Sequence, residues 1–225
     1  MKILALDTST EYCSAAVWHD GAAVERDVHA GQSHSELLLG MVDAVLAESG
    51  TALREIDAIA FGAGPGTFTG LRIACGVAQG LAYAADRPVV GVGTLLALAK
   101  GSGAHRVVCC VDARMQQVYF AAYEGADTEW RAVHGPSLHA PAEVPLLEGE
   151  GWIGCGSGFA AYREALAARY RGQLGRIAPD AHPRASDVAA LAAVAYARGE
   201  AVAPDDAAPL YVRDKVALKT DERPS

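Results

Sequence analysis

Three groups of residues have the types and spacing to do chemistry. The first is the run Gly62-Ala63-Gly64-Pro65-Gly66-Thr67-Phe68-Thr69-Gly70. A glycine-rich turn opening into a helix aims free amides and the positive end of the helix dipole at one spot, which makes an anion cradle. Its spacing departs from the P-loop, because no Lys-Ser/Thr follows the last glycine. It also departs from the dinucleotide fingerprint, whose last glycine is replaced by Thr67. A structural tight turn is the plainer reading. The second group is Asp7 and Asp112, each closing an apolar stretch, Lys2 to Asp7 and Arg106 to Asp112. In such a place a carboxylate accepts backbone N–H groups of its own turn, from Ser9 or Thr10 for Asp7 and from Arg114 for Asp112. The third group is the soft and imidazole ligands. The seven histidines, at 19, 29, 34, 105, 134, 139 and 182, form no i, i+4 pair. His134 and His139 flank Gly-Pro-Ser-Leu, read as a turn that does not aim both rings at one ion. The five cysteines, at 13, 75, 109, 110 and 155, form no C-x-x-C pair and suit reduced core thiols. Neither a catalytic set nor a metal site is expected.

Bulk properties narrow the classes. With 225 residues, 51% hydrophobic and 20% charged, the chain can bury a substantial core. Its formal net charge of -8, with no Lys/Arg cluster, lacks the footprint of a stand-alone nucleic-acid binder. If RNA is involved, something else must hold it. Met1 to Thr10 is too short and too soon charged for a signal peptide, and the apolar segment Phe68 to Ala85 carries Arg72, Gln79 and glycines that argue against a membrane span. A cytoplasmic protein is expected.

The elements that must position these residues show a pattern that occurs twice. Lys2 to Asp7 reads as a buried strand ending in an acid, followed by a turn and a second strand, Cys13 to Trp18. Arg106 to Asp112 repeats this, with the second strand at Val118 to Tyr123. Two α/β lobes are expected, residues 1–100 and 101–225, with a hinge or linker at Lys100 to Ala104. In the first lobe, Ala22 to His29 is a third strand and Ile56 to Phe61 a fourth. Ser33 and Glu36 are spaced as a capping box for a helix running to about Glu48, before Gly50. Its apolar stripe includes Leu38, Met41, Val42, Val45 and Leu46, and Leu37 and Leu39 widen it toward either a partner or a neighbouring helix. The helix near Phe68 to Ala85 is apolar nearly all round. It carries two small-residue rows, Gly76-Gly80-Ala84 and Ala74-Ala78, of which one meets the lobe's own sheet and the other a partner. His34, Leu38, Met41, Val42, Val45, Leu71, Ala74, Cys75 and Ala78 are the expected partner interface. Arg72 is expected to pair with a carboxylate, Arg114 to sit at the lobe interface, and Tyr211 and Arg213 to return the chain to the lobe junction. Further elements are helices over Phe159 to Tyr170 and Asp187 to Arg198, and a polar tail over Lys219 to Ser225.

These blocks together resemble one family. The opening strand pair, Gly64-Pro65-Gly66-Thr67-Phe68-Thr69-Gly70-Leu71-Arg72-Ile73, Gly76 to Ala82, Val111-Asp112-Ala113-Arg114-Met115 with Val118-Tyr119, Trp152 to Gly158 and Pro209 to Arg213 are similar, in kind and order, to TsaB, also called YeaZ. Ala74 departs from the pattern, where a glycine is expected. The resemblance implies the actin-like ATPase (ASKHA) superfold, with two lobes of RNase H-like topology. It implies a non-catalytic dimerisation subunit for threonylcarbamoylation of adenosine-37 in tRNAs reading ANN codons. It further implies a TsaD-type transferase subunit and a TsaE-type ATPase as partners, a homodimer when isolated, tRNA contact only through the complex, and no cofactor. The histidine pair that binds metal in TsaD is missing from the corresponding stretch, Val89 to Leu96. In actin-like ATPases acids equivalent to Asp7 and Asp112 hold a magnesium-bound water, and Gly154 to Gly158 sits where the backbone nears adenosine. The second reading is therefore a small-molecule kinase or ATPase, against which stands the lack of Lys or Arg near either glycine loop except Arg72.

Overall fold

The computed structural model of the chain describes residues 1–213, so the expected tail Lys219 to Ser225 lies outside the described residues. The chain forms β1 (Lys2–Asp7), β2 (Tyr12–His19), β3 (Ala22–His29), α1 (His34–Glu48), β4 (Ala58–Gly64), α2 (Phe68–Ala85), β5 (Val89–Gly93) and α3 (Thr94–Gly101). It continues as β6 (Arg106–Asp112), β7 (Val118–Ala126), β8 (Glu129–His139), β9 (Trp152–Cys155), α4 (Gly158–Ala161), α5 (Arg163–Arg169), β10 (Leu174–Ala178) and α6 (Ala185–Ala197). The first sheet has the order β3-β2-β1-β4-β5 and the second β10-β9-β6-β7-β8. Both are one topology: three antiparallel strands in meander, then two strands parallel to the first. This is the RNase H-like order, used twice, and it carries the actin-like superfold.

The alternation of side chains along β1 explains the packing. Leu4 and Leu6 point to one face, where α1 and α2 cover them; Ile3 and Ala5 point to the other, where α6 covers them. Strands buried on both faces read as continuous apolar runs, as β1 and β4 do. A boundary at residue 100 separates the sheets but not the helices. Leu95, Leu98 and Ala99 of α3 pack on Val107, Cys109 and Val111 of the second sheet, while α6, from the end of the chain, packs on the first. The two lobes exchange one helix each. Nor is Lys100 to Ala104 a free linker: α3 runs through Gly101, and the ammonium of Lys100 lies 2.9 Å from Asp187 of α6.

Several expectations change in detail. β8 and β10 had no counterpart in the sequence reading. Strand β8 passes through the stretch read as a turn, placing His134 opposite Ala122 and His139 opposite Val118, both rings against Phe120. The helix expected over Phe159 to Tyr170 breaks at Tyr162 into α4 and α5. At the start of α1 the capping box does not form, because Ser33 takes φ -89°, ψ 21° and its side chain makes no cap bond. His34 anchors that end instead: its Nε2 donates to the carbonyls of Thr10 at 2.9 Å and Tyr12 at 3.2 Å, tying α1 to the β1–β2 turn.

All nine residues expected at a partner interface are turned inward. His34, Leu38, Met41, Val42, Val45, Leu71, Ala74, Cys75 and Ala78 are each at most 9% exposed, and seven of them, from Leu38 through Ala78 apart from Leu71, belong to the cluster between the two helices and their own sheet. The sheet's apolar face needs a cover, and the Ala74-Ala78 row supplies it together with Ala82. The outward row is Gly76, Gly80 and Ala84. Ala78→Arg should therefore prevent folding rather than merely weaken a complex, since an unpaired buried charge costs roughly several kcal/mol. Loss of the cooperative thermal transition by circular dichroism is the expected outcome; a folded variant would return Ala78 to the surface.

Candidate functional site

The two sheets face each other across a cleft of about 260 Å³. Its walls are the β1–β2 turn (Ser9, Thr10, Glu11), the β4–α2 loop (Pro65 to Phe68), the β6–β7 turn (Asp112 to Met115) and the returning segment Leu210 to Arg213. The expected return of Tyr211 and Arg213 to the lobe junction is thus observed. The Leu210 amide bonds Ala63 O at 2.7 Å, and Arg213 donates to Gln117 Oε1 at 2.6 Å. Gly64, at φ 125°, packs under Leu210, and an added Cβ would strike its carbonyl oxygen. That glycine serves chain return. Gly66 and Gly70 likewise lie against the backbone of Ser9 and Thr8, and Thr67 N donates to Ser9 O at 2.8 Å, so the glycine-rich run is a close-packing device between β1 and α2.

The two acids differ in setting. Asp7 is buried at 1% exposure, and its Oδ1 accepts from Ser9 N at 2.9 Å and Ser9 Oγ at 2.7 Å. Its Oδ2 is buried without a partner, pressed against Gly62. Burial is the largest cause that raises its pKa to about 6, opposed by the two Ser9 hydrogen bonds. Asp112 is only partly buried and fully engaged. Its Oδ1 accepts from Arg114 N at 2.9 Å and from the Tyr162 hydroxyl at 3.0 Å, and its Oδ2 from the Arg114 guanidinium at 3.1 Å. Both acids therefore make the turn bonds expected from their positions. The Arg114 guanidinium also reaches Glu11 at 2.9 Å, joining the β6–β7 turn to the β1–β2 turn across the cleft.

The β6–β7 turn lies where the sequence placed one, but its backbone was not foreseen. Arg114, Met115 and Gln116 all take left-handed φ, 61°, 52° and 57°, and none is glycine. Each such residue costs roughly 1 kcal/mol. Bonds from Ala113 N to Gln117 O and from Gln117 N to Arg114 O close the turn and offset the cost. Across the cleft, Arg72 pairs with no carboxylate among the described residues, where a carboxylate partner was expected. Its guanidinium stacks 3.4 Å over Phe68, and its Nε donates to the Tyr211 hydroxyl at 3.0 Å, which keeps the charge in water while the stem is covered.

Reactive groups are few. All five thiols are buried, and burial pushes each pKa up, Cys13 and Cys155 to about 11, so thiolate is scarce at neutral pH. Among the described residues no group of three or more His, Cys, Asp or Glu is placed to hold a metal ion. No helix among them is long and apolar enough to cross a membrane.

Comparison with known proteins decides the family. The family described as TsaD, tRNA N6-adenosine threonylcarbamoyltransferase, matches residues 28–220. The tRNA threonylcarbamoyladenosine biosynthesis protein TsaB of Escherichia coli K12 is 39% identical, over 97% of both chains. The chain belongs to the TsaB family. The Haemophilus influenzae TsaB is 34% identical over 97% of this chain and 96% of its own length. The solved YeaZ of Pseudomonas aeruginosa superposes with a TM-score of 0.85 at 40% identity, covering 93% of this chain and 99% of that one. A second Pseudomonas aeruginosa structure, described as similar to the peptidase YeaZ, gives a TM-score of 0.86 at 40% identity over 94% of this chain and 99% of that one. Family membership places the chain in threonylcarbamoyladenosine biosynthesis.

Two outcomes test this geometry. Because the folded pKa of Asp7 is raised, its protonated form favours the fold; that contribution is complete below about 3.8 and is lost as pH rises through about 6. Asp7→Asn removes the titration. Urea denaturation should show the variant gaining on wild type by about 2 kcal/mol between pH 4 and pH 8, from the size and position of the shift. In the β6–β7 turn, Gln116→Gly relieves a left-handed residue and should raise stability by roughly 0.5–1 kcal/mol after the added freedom of the unfolded chain is subtracted. An unchanged or lower midpoint would show that the turn is not strained.

Proposed function

We propose that this chain is the non-catalytic subunit of a tRNA threonylcarbamoylating complex, and that the outer face of α1 and α2 docks the transferase subunit. One observation carries the docking surface. Gly40 in α1 and Gly76 and Gly80 in α2 are exposed, sit inside helices, and have open space where a Cβ would stand. A helix-interior glycine costs roughly 1 kcal/mol relative to alanine. Among the described residues nothing packs on these three, whereas a row without side chains lets another helix approach closely. Exposed Leu39, at 54%, and Tyr83, at 65%, flank them with apolar surface. The names of the relatives supply the pathway. The non-catalytic reading is supported by the engaged Asp112, the buried Asp7 and the protonated thiols, none of which offers a poised base or nucleophile. In this reading the same face accepts a second copy when the transferase is absent, the ATPase subunit joins the assembled complex, and tRNA is held by the partners rather than by a chain of net charge -8.

The experiment is complementation of cells depleted of this protein, with nucleoside analysis of their tRNA. Depletion should remove threonylcarbamoyladenosine and the wild-type gene should restore it. Gly80→Arg should fold, since arginine is the better helix former, yet fail to restore the modification. A charge placed in the contact costs roughly several kcal/mol, enough to abolish a micromolar association held by about 8 kcal/mol. Sedimentation with the transferase subunit should show the loss directly. Unchanged modification after depletion would sink the pathway role; full restoration by Gly80→Arg would sink the docking face.

A further inference from the structure

A second cavity, of about 470 Å³, lies away from the cleft, between the free edge of β5, helix α6 and the tip of the β7–β8 hairpin from the other sheet. Among the described residues, β5 pairs with β4 on one side, and its other edge carries a single bridge. In a parallel ladder alternate residues bond to alternate sides. Ile59 N donates to Pro88 O, so residues 88, 90 and 92 serve β4, and residues 89, 91 and 93 face outward. The outward edge is already shown to pair: Val89 N donates to Val202 O and Val202 N to Val89 O, both at 2.9 Å, in antiparallel sense. Beyond Val202 the chain leaves the edge. Gly199 takes φ 77°, and Glu200 N turns back to Ala195 O on α6. The next outward residue, Gly91, is exposed, and Gly91 and Gly93 form one wall of the cavity. Trp130 forms the facing wall, its indole fixed by an Nε1 bond to Asp127 O at 3.0 Å.

We infer that this cavity is a binding groove for an extended peptide, which adds to the β5 edge at Gly91 and Gly93 and continues the line begun by Val202. The occupant follows from the backbone. One donor and one acceptor at Gly91, spaced and directed as in a ladder, are matched by another extended backbone and not by a helix. With no side chain at either glycine, that backbone approaches without a steric barrier on the edge. The open stretch spans about three residues, roughly 10 Å, so the Trp130 wall is what an apolar side chain of the peptide rests on. This inference is independent of the docking face on α1 and α2.

The probe is a library of random heptapeptides displayed on phage and panned against the full-length protein, with enriched sequences synthesised. Peptides should bind wild type and slow amide hydrogen exchange at Gly91 at least tenfold, while Val90 and Val92, already in the ladder, change little. Gly91→Pro removes the outward N–H, which a strand edge tolerates, and adds a Cβ 3.3 Å from that of Ala63; Gly91→Ala adds the same Cβ and keeps the N–H, so the proline variant should bind peptide at least tenfold more weakly than the alanine variant, with the melting transition kept in both. If that variant fails to fold, the exchange measurement on wild type decides. Enriched peptides that leave Gly91 exchange unchanged, peptides that bind a folded Gly91→Pro as well as Gly91→Ala, or a library that yields no enrichment would each overturn the groove.

Discussion

The first sheet is apolar on both faces, and that constraint shapes everything around it. Ile3, Ala5, Ala58 and Ala60 point to one side, Leu4, Leu6, Ile59 and Phe61 to the other, and every one is buried. The lobe's own helices α1 and α2 cover one side. The other is covered by α6, which arrives only after the second sheet is complete, so neither lobe is finished without the other. Each buried large aliphatic or aromatic side chain contributes roughly 1.5–3 kcal/mol, far more than the exposed Arg114–Glu11 pair, which as a surface ion pair contributes roughly 0–1 kcal/mol. Helix exchange, not the surface pair, holds the lobes in register. The Lys100–Asp187 contact marks the point where the exchanged helices meet.

From this follows the division of labour on the surface. With α1 and α2 committed to the sheet through their bulky faces, their backs carry the residues that the fold itself does not need, and these include glycines. The proposed docking face uses these spare helix backs. Along the cleft the same economy holds: the glycine-rich loop packs β1, α2 and the returning chain closely, and Asp112 is bound by the turn it heads. The two acids, Asp7 and Asp112, accept hydrogen bonds within their own turns. The left-handed run at 114–116 is a local conflict that lies on the lip, where Arg114 reaches across to Glu11.

The amino-acid sequence alone determined the repeated strand pattern, the acids at the ends of β1 and β6, the extent of α1, the start of β3 and the family. It did so because each rests on local signals or on blocks of residues in order: β3 starts after the Asp20-Gly21 turn, and α1 stops where Gly50 takes the left-handed turn that ends a helix. It also placed two small-residue rows on α2. Which row faces inward was decided by tertiary structure, because Ala74-Ala78 and Gly76-Gly80 are equally small and only the position of the sheet tells them apart. The same holds for His34, whose ring was free to be surface or core until the β1–β2 carbonyls came within reach. Strand β8 was hidden because Gly135-Pro136 reads locally as a turn, and only pairing with β7 draws it into a ladder. The exchange of α3 and α6 was likewise invisible, since two helices of similar apolar composition carry no local mark of the sheet they will cover; that choice is made by the distance and direction in which the rest of the chain delivers them.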